Sequence, residues 1–273
     1  MSKSPELTIE QLFKKCNDIV INDDGKKFAA AIDYSIEILK LAPDSMIGYY
    51  VSICVSIMCG DSQNMQLRKK FRELYDEYFA ASRNIDSDTI EKIILAEFFL
   101  SGYSIDKAKG QAIDPAWRNG KNLLMKIKDK CRNKDHSALA ALFLITRLPY
   151  GEVVEVCDEF KKTYPSHRAM PLVEIILALK KYYFNAATRD YDKVIDENKR
   201  IIERYNEIDS PFGDYKLVME CYAYIVRAHV KKGDIFNARK YFDIIKSEAP
   251  GYYDLKGLKS EINDFVRTDE KRD

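Results

Sequence analysis

The sequence predicts an all-α protein: a helical-repeat solenoid of about six antiparallel helix pairs closed by a C-terminal helix. Three observations carry that expectation. Apolar residues recur at three- and four-residue spacing along most of the chain, the period of one helix face. Only 11 Gly and 8 Pro occur in 273 residues, little material for hairpins and the tight turns of a sheet protein. One helix–turn–helix unit, residues 218–250, has looser echoes elsewhere in the chain. No Pro-, Gly- or Ser-rich linker interrupts it, so residues 1–267 are expected to form one domain, with 268–273 a disordered charged tail.

The elements follow in order. Thr8 and Gln11 form a capping-box pattern ahead of a helix on Leu12, Phe13 and Ile19. Gly25 breaks it, and a second helix carries Phe28, Ala31, Ile32, Ile36 and Leu39 before stopping near Pro43. Asp44 opens a helix that is apolar on most sides, with Gly48, Ser52 and Ser56 four apart on one strip. That strip has two readings: close helix–helix approach through small residues, or the floor of a binding groove. A more polar helix follows on Leu67, Phe71, Leu74 and Tyr78, and Asp86-Ser-Asp88 starts another on Ile90, Ile93, Ile94 and Phe98.

Residues 101–114 form the longest candidate loop, either a tolerated insertion or a contact loop. Asp114-Pro115 then marks a helix start, followed by Trp117, Leu123, Leu124 and Ile127. Trp117, the single Trp, is expected to pack between repeats. A helix from Asp135, a shorter one over 152–164 and a long one capped by Ser166 follow. Residues 190–208 form its partner, and after the unit at 218–250 a terminal helix on Leu255, Leu258, Ile262 and Phe265 covers the last repeat.

The unit at 218–250 has the clearest pattern. Met219, Tyr222, Ile225, Val226 and His229 share one helix face; Gly233 and Asp234 form the turn; Ala238, Phe242 and Ile245 mark the second helix; Pro250 ends it. With Tyr222, Ile225, Gly233, Ala238, Phe242 and Pro250 at these spacings, it resembles the tetratricopeptide repeat family, which is built from 34-residue helix pairs. Val226 and Ile245 depart from the family pattern, which has small residues there. Gly25, Ala31 and Pro43 repeat the spacing, but Ser35 stands where the aromatic belongs.

The resemblance implies a right-handed superhelix whose first helices line a concave groove holding a peptide or partner helix. It places Ala223, Arg227, Val230 and Lys231 on the groove, joined by Lys180, Phe184 and Thr188 from the preceding pair. Arg227, Lys231 and Lys180 would then form a basic strip suited to an acidic peptide or a C-terminal carboxylate. The carboxylate clamp of the family's chaperone-binding members is not matched, since Cys16 and Val20 stand near the corresponding places.

Nothing in the sequence points to chemistry. The three His, His136, His167 and His229, form no nucleophile motif, and GxSxG, HExxH and phosphate-loop patterns are absent. Adjacent carboxylates such as Asp158/Glu159 and Asp196/Glu197 splay around a helix rather than converge. The six cysteines lie in helix patterns without metal-ligand spacing and read as reduced core thiols of a cytoplasmic protein. Neither catalysis, a cofactor nor a metal is expected.

Charge is balanced, with 44 basic and 43 acidic residues, which argues against a global attraction to nucleic acid or to a membrane surface. No run reaches the roughly 18 apolar residues of a membrane span, and the first residues lack the apolar stretch of a signal peptide. The expected function is a non-catalytic scaffold or adaptor binding a protein or peptide. The alternative is a nucleic-acid-binding or regulatory helical-repeat protein, motivated by basic clusters such as Arg68-Lys-Lys70 and residues 126–132.

Overall fold

The computed structural model describes residues 7–21, 28–46, 48–49, 52, 84–101, 115–188, 190–210 and 215–269. Eleven helices lie among them: α1 (Ile9–Ile21), α2 (Phe28–Leu41), α3 (Thr89–Ser101), α4 (Pro115–Lys130), α5 (Lys134–Arg147), α6 (Tyr150–Thr163), α7 (Met170–Thr188), α8 (Tyr191–Tyr205), α9 (Met219–Lys232), α10 (Ile235–Glu248) and α11 (Leu255–Asp269). No strand occurs among the described residues; the one β feature is an isolated antiparallel bridge between Asp209 and Lys216. No described helix is long and apolar enough to cross a membrane.

Several helix ends follow from their own residues. The Thr8 amide donates to Gln11 Oε1 at 2.9 Å and the Gln11 amide to Thr8 Oγ1 at 3.3 Å, the reciprocal capping box ahead of α1. Gly233 takes φ 78°, the left-handed region, and the Asp234 amide reaches back to the His229 carbonyl at 2.9 Å. Asp234 then caps α10 by accepting from the Asn237 amide at 3.1 Å.

Two boundaries differ from the sequence expectation. The long helix begins at Met170 rather than after Ser166. Proline suits the first helical turn, so Pro171 sets the start and the residues before it form turns. Its partner α8 ends at Tyr205 rather than at 208. There the Ser210 amide donates to the Tyr215 carbonyl at 2.7 Å and the Leu217 amide to the Ile208 carbonyl at 2.8 Å, a local pairing that turns the chain. The predicted loop at 101–114 and the polar helix at 67–78 lie outside the described residues, apart from Ser101.

The chain divides into two compact units, one of Met1–Arg147 with Ser166–Arg168, the other of Leu148–Pro165 with Ala169–Asp273. In the first, α1 packs on α2, α2 meets α3, and α3, α4 and α5 pack against one another. Helix α5 is buried from Ser137 to Ile145 on every side. Trp117 is buried in α4, and Gly120 brings that helix so close to α3 that a Cβ would stand 2.9 Å from the Ala96 carbonyl oxygen. A buried ion pair ties α3 to α5: Arg147 Nε donates to Glu97 Oε1 at 2.8 Å, and a second guanidinium nitrogen reaches the same oxygen. Glu97 is 0% exposed and its Oε2 has no hydrogen-bond partner among the described residues. Burial therefore pushes the Glu97 carboxyl above its usual range, with Arg147 pulling the other way.

In the second unit neighbouring helices pack in sequence order from α6 to α11. Helix α9 also meets α7 and α11, while α8 packs against both α7 and α9, and α10 against both α9 and α11. Ala223, Val226 and Val230 of α9, Ala238 and Ile245 of α10, and Leu258 and Ile262 of α11 share one buried cluster. Ala238 is fully buried, as a small residue must be where two helices approach closely.

Candidate partner-binding site

On α9, Glu220, Tyr224, Arg227 and Lys231 recur at helical spacing along one stripe. Helix α7 brings Tyr182 and Tyr183 beside it, and the turn before α11 brings Tyr252, Tyr253 and Asp254. The Tyr182 ring stacks on Tyr224 with centroids 5.8 Å apart, and Tyr183 meets Tyr182 edge-on at 5.4 Å. On the other side Tyr252 packs against Tyr253 at 4.7 Å and against Tyr215 at 5.5 Å. The inner rings are covered, but Tyr183 is 68% exposed and Tyr253 73%. Both stand close enough to Tyr224 to act electrostatically on its hydroxyl.

Glu220 sits at the centre. The hydroxyls of Tyr252 and Tyr253 both donate to its Oε2 at 3.1 Å. Among the described residues no hydrogen bond reaches Oε1. Burial pushes the Glu220 carboxyl upward; the two tyrosine hydrogen bonds and Arg227 pull it back down. The Tyr253 phenol is pushed up to about 12, by burial first and then by the Glu220 charge.

Arg227 is committed within the chain. Its Nε donates to Glu261 Oε1 at 3.0 Å and its terminal nitrogen pairs with Asp254 Oδ2. Burial opposes its charge, but Glu261 and Asp254 together outweigh that cost and raise its pKa. The stripe and its surroundings thus gather three carboxylates, Glu220, Asp254 and Glu261, around one guanidinium. Lys231 lies one turn beyond and is exposed.

The other sequence-predicted positions fall as follows. Lys180 Nζ donates to the Leu148 carbonyl at 2.6 Å, so it is held against the backbone ahead of α6. Ala223 and Val230, expected on the groove, are instead buried in the cluster that α9 shares with α10 and α11, whose packing covers them. The side chains of Phe184 and Thr188 lie outside the described residues. In the first unit, a Cβ on Gly48 would come within 2.8 Å of both Ile38 and Leu39 of α2, so the small residue marks close helix approach. Ser52 is buried and its hydroxyl donates to the Gly48 carbonyl at 2.8 Å. Ser56 lies outside the described residues.

His229 Nδ1 is 3.0 Å from Asp234 Oδ2 and its ring stacks on Tyr241 at 5.6 Å. The four described cysteines, Cys16, Cys131, Cys157 and Cys221, are free and buried. Among the described residues no group of three or more His, Cys, Asp or Glu is placed to hold a metal ion. Sequence reasoning passed over Glu220, Tyr183, Tyr253, Asp254 and Glu261. The available signal was Glu220, seven residues before Arg227 on the same helix face, and the Tyr252-Tyr253-Asp254 run just after Pro250.

The fold and this face together define an all-helical protein of sequentially packed helices that presents an aromatic and acidic surface. No family model, no curated protein and no solved structure matches the chain.

Proposed function

We propose that the protein is a non-catalytic interaction scaffold whose second unit binds a protein or peptide on the face built by α7, α9 and the turn into α11. The observation that carries this reading is the pair of exposed rings on one face, Tyr183 on the Tyr182–Tyr224 stack and Tyr253 with its hydroxyl on the half-buried Glu220, whose Oε1 accepts no hydrogen bond among the described residues. Tyrosine combines a large apolar area with a polar tip at low entropic cost, which is why it is enriched at binding surfaces. A tetratricopeptide-like superhelix is the architecture that best accommodates this role. Sequential helix packing and the contacts of α9 with the alternate helices α7 and α11 favour it.

The test is affinity capture from native lysate by the wild type and by a Tyr183→Ser/Tyr253→Ser variant of equal melting temperature. A partner held by the wild type and lost by the variant is expected. A partner held equally by both, or none held by either, refutes a scaffold working through this face.

A further inference from the structure

Resting on the scaffold reading, we infer that this face recognises a basic segment of a partner protein, with a lysine or arginine head group seated on Glu220 Oε1 beside Tyr253. Four features lead there. First, Glu220 keeps a free acceptor: both hydroxyl donors arrive at Oε2, and among the described residues none reaches Oε1. A half-buried carboxylate with an unmet oxygen gains most from a cation that donates a charge-assisted hydrogen bond.

Second, the one cation of the stripe that touches these acids is already taken. Arg227 is shared by Asp254 and Glu261, so the carboxylates outnumber the guanidinium and the local field favours an incoming positive charge. Third, the Tyr253 ring beside Glu220 is exposed, and aromatic faces attract ammonium and guanidinium groups while covering the methylene stem below them. Fourth, the rings are held in place. Tyr253 is fixed by its hydroxyl on Glu220 and its packing on Tyr252, and Tyr183 by its edge contact with Tyr182, which itself stacks on Tyr224. Little entropy then remains to be lost on binding.

This reverses the polarity expected from Arg227, Lys231 and Lys180. Two of those three are occupied by the chain's own acceptors, Arg227 by carboxylates and Lys180 by a backbone carbonyl.

The experiment is an NMR titration of the full chain carrying labelled tyrosine. The probes are the amides of N-acetyl-lysine, N-acetyl-norleucine and N-acetyl-glutamate, with ring assignments made from Tyr183→Ser and Tyr253→Ser. The lysine amide is expected to shift the Tyr253 ring saturably. The norleucine amide, of the same length without the charge, is expected to bind at least tenfold more weakly, and the glutamate amide not at all. Glu220→Gln retains an acceptor for both tyrosine hydroxyls but removes the charge, and should weaken the lysine amide about tenfold at an unchanged melting temperature.

Equal shifts with norleucine, tighter binding of glutamate, or an unaffected Glu220→Gln variant overturns the inference. Ring shifts that change on dilution of the protein alone identify a second copy of this chain as the occupant and overturn it equally. If the lysate partner is lost from Tyr183→Ser/Tyr253→Ser yet fully retained by Glu220→Gln, the scaffold reading stands and the cation reading falls. If no partner is captured and no amide shifts the rings, both fall.

Discussion

Replacing Arg147 with Met should be among the most destabilising single changes in the first unit, and its cost should depend on pH in a direction the structure fixes. Glu97 is 0% exposed, and both Arg147 hydrogen bonds go to its Oε1 while Oε2 has no partner among the described residues. Arg147→Met would leave that carboxylate buried and uncompensated. Breaking a buried pair by removing one partner costs about 3–5 kcal/mol where the survivor is charged.

Glu97 has one escape, which is to take up a proton. In the variant the folded state would hold that proton at pH values where the unfolded state, with an ordinary carboxyl near 4.3, has lost it. The folded pKa is raised, so low pH favours the folded state. Stability is present below the unfolded value and falls by about 1.4 kcal/mol per pH unit as pH rises towards the folded pKa. The wild type shares the direction, since burial already raises Glu97, with Arg147 pulling the other way.

Trp117 reports on the outcome. It is the single Trp and is buried in α4 of the same unit. Urea unfolding followed by its fluorescence should show the full loss at pH 7.5 and a visibly smaller one at pH 5.5. The double variant Glu97→Leu/Arg147→Met, which removes both charges, should recover most of the loss and flatten the pH dependence. A loss under about 1 kcal/mol at pH 7.5, or one equal at both pH values, would refute the reasoning.

Three further outcomes are expected. Gly120→Ala should destabilise the first unit by about 1–2 kcal/mol despite alanine's better helix propensity, because the new methyl meets the unyielding Ala96 carbonyl; a gain in urea midpoint would contradict this. At the α9–α10 turn, Asp234→Ala should cost about 1 kcal/mol of cap energy while Asp234→Asn keeps the cap, both read from urea unfolding. Burial lowers the His229 pKa and the Asp234 charge partly restores it, so both variants should lower it further. A depressed His229 makes stability full above its ordinary value near 6.5 and eroded as pH falls below it, and an NMR titration giving His229 a pKa above that value would contradict the burial. Cys16 and Cys157, pushed by burial up to about 12 and about 11, should resist iodoacetamide at pH 8 until urea unfolds the chain, with peptide mapping as the readout.

Much of the local architecture was legible because it depends on neighbours within a turn or two. The Thr8–Gln11 box, the left-handed Gly233, the Asp234 cap and the stop before Pro250 each involve residues only a few positions apart. The same holds for the small residues: Ala238 is buried where α10 meets α9, and Gly48 sits against α2, as close helix approach requires. The starts of α7 and the end of α8 were misjudged because a serine or an unbroken apolar pattern is a weaker signal than Pro171 and the pairing of 208–210 with 215–217.

The binding face was a different matter. The sequence by itself determined that α9 exists, where it ends, and that Glu220, Tyr224 and Arg227 share a stripe, since helical period is a local property. Which of its faces is covered was decided only when α10 and α11 packed against it, taking Ala223 and Val230 into a shared cluster and setting Glu261 on Arg227. The electrostatic sign of the surface was settled in the same way. Arg227 reads as a free cation along the chain, yet it is claimed by Asp254 and Glu261, residues remote in sequence that tertiary packing carries to within hydrogen-bonding distance. Charge and exposure are properties of the packed neighbourhood, and no spacing along one helix encodes what another helix brings to it.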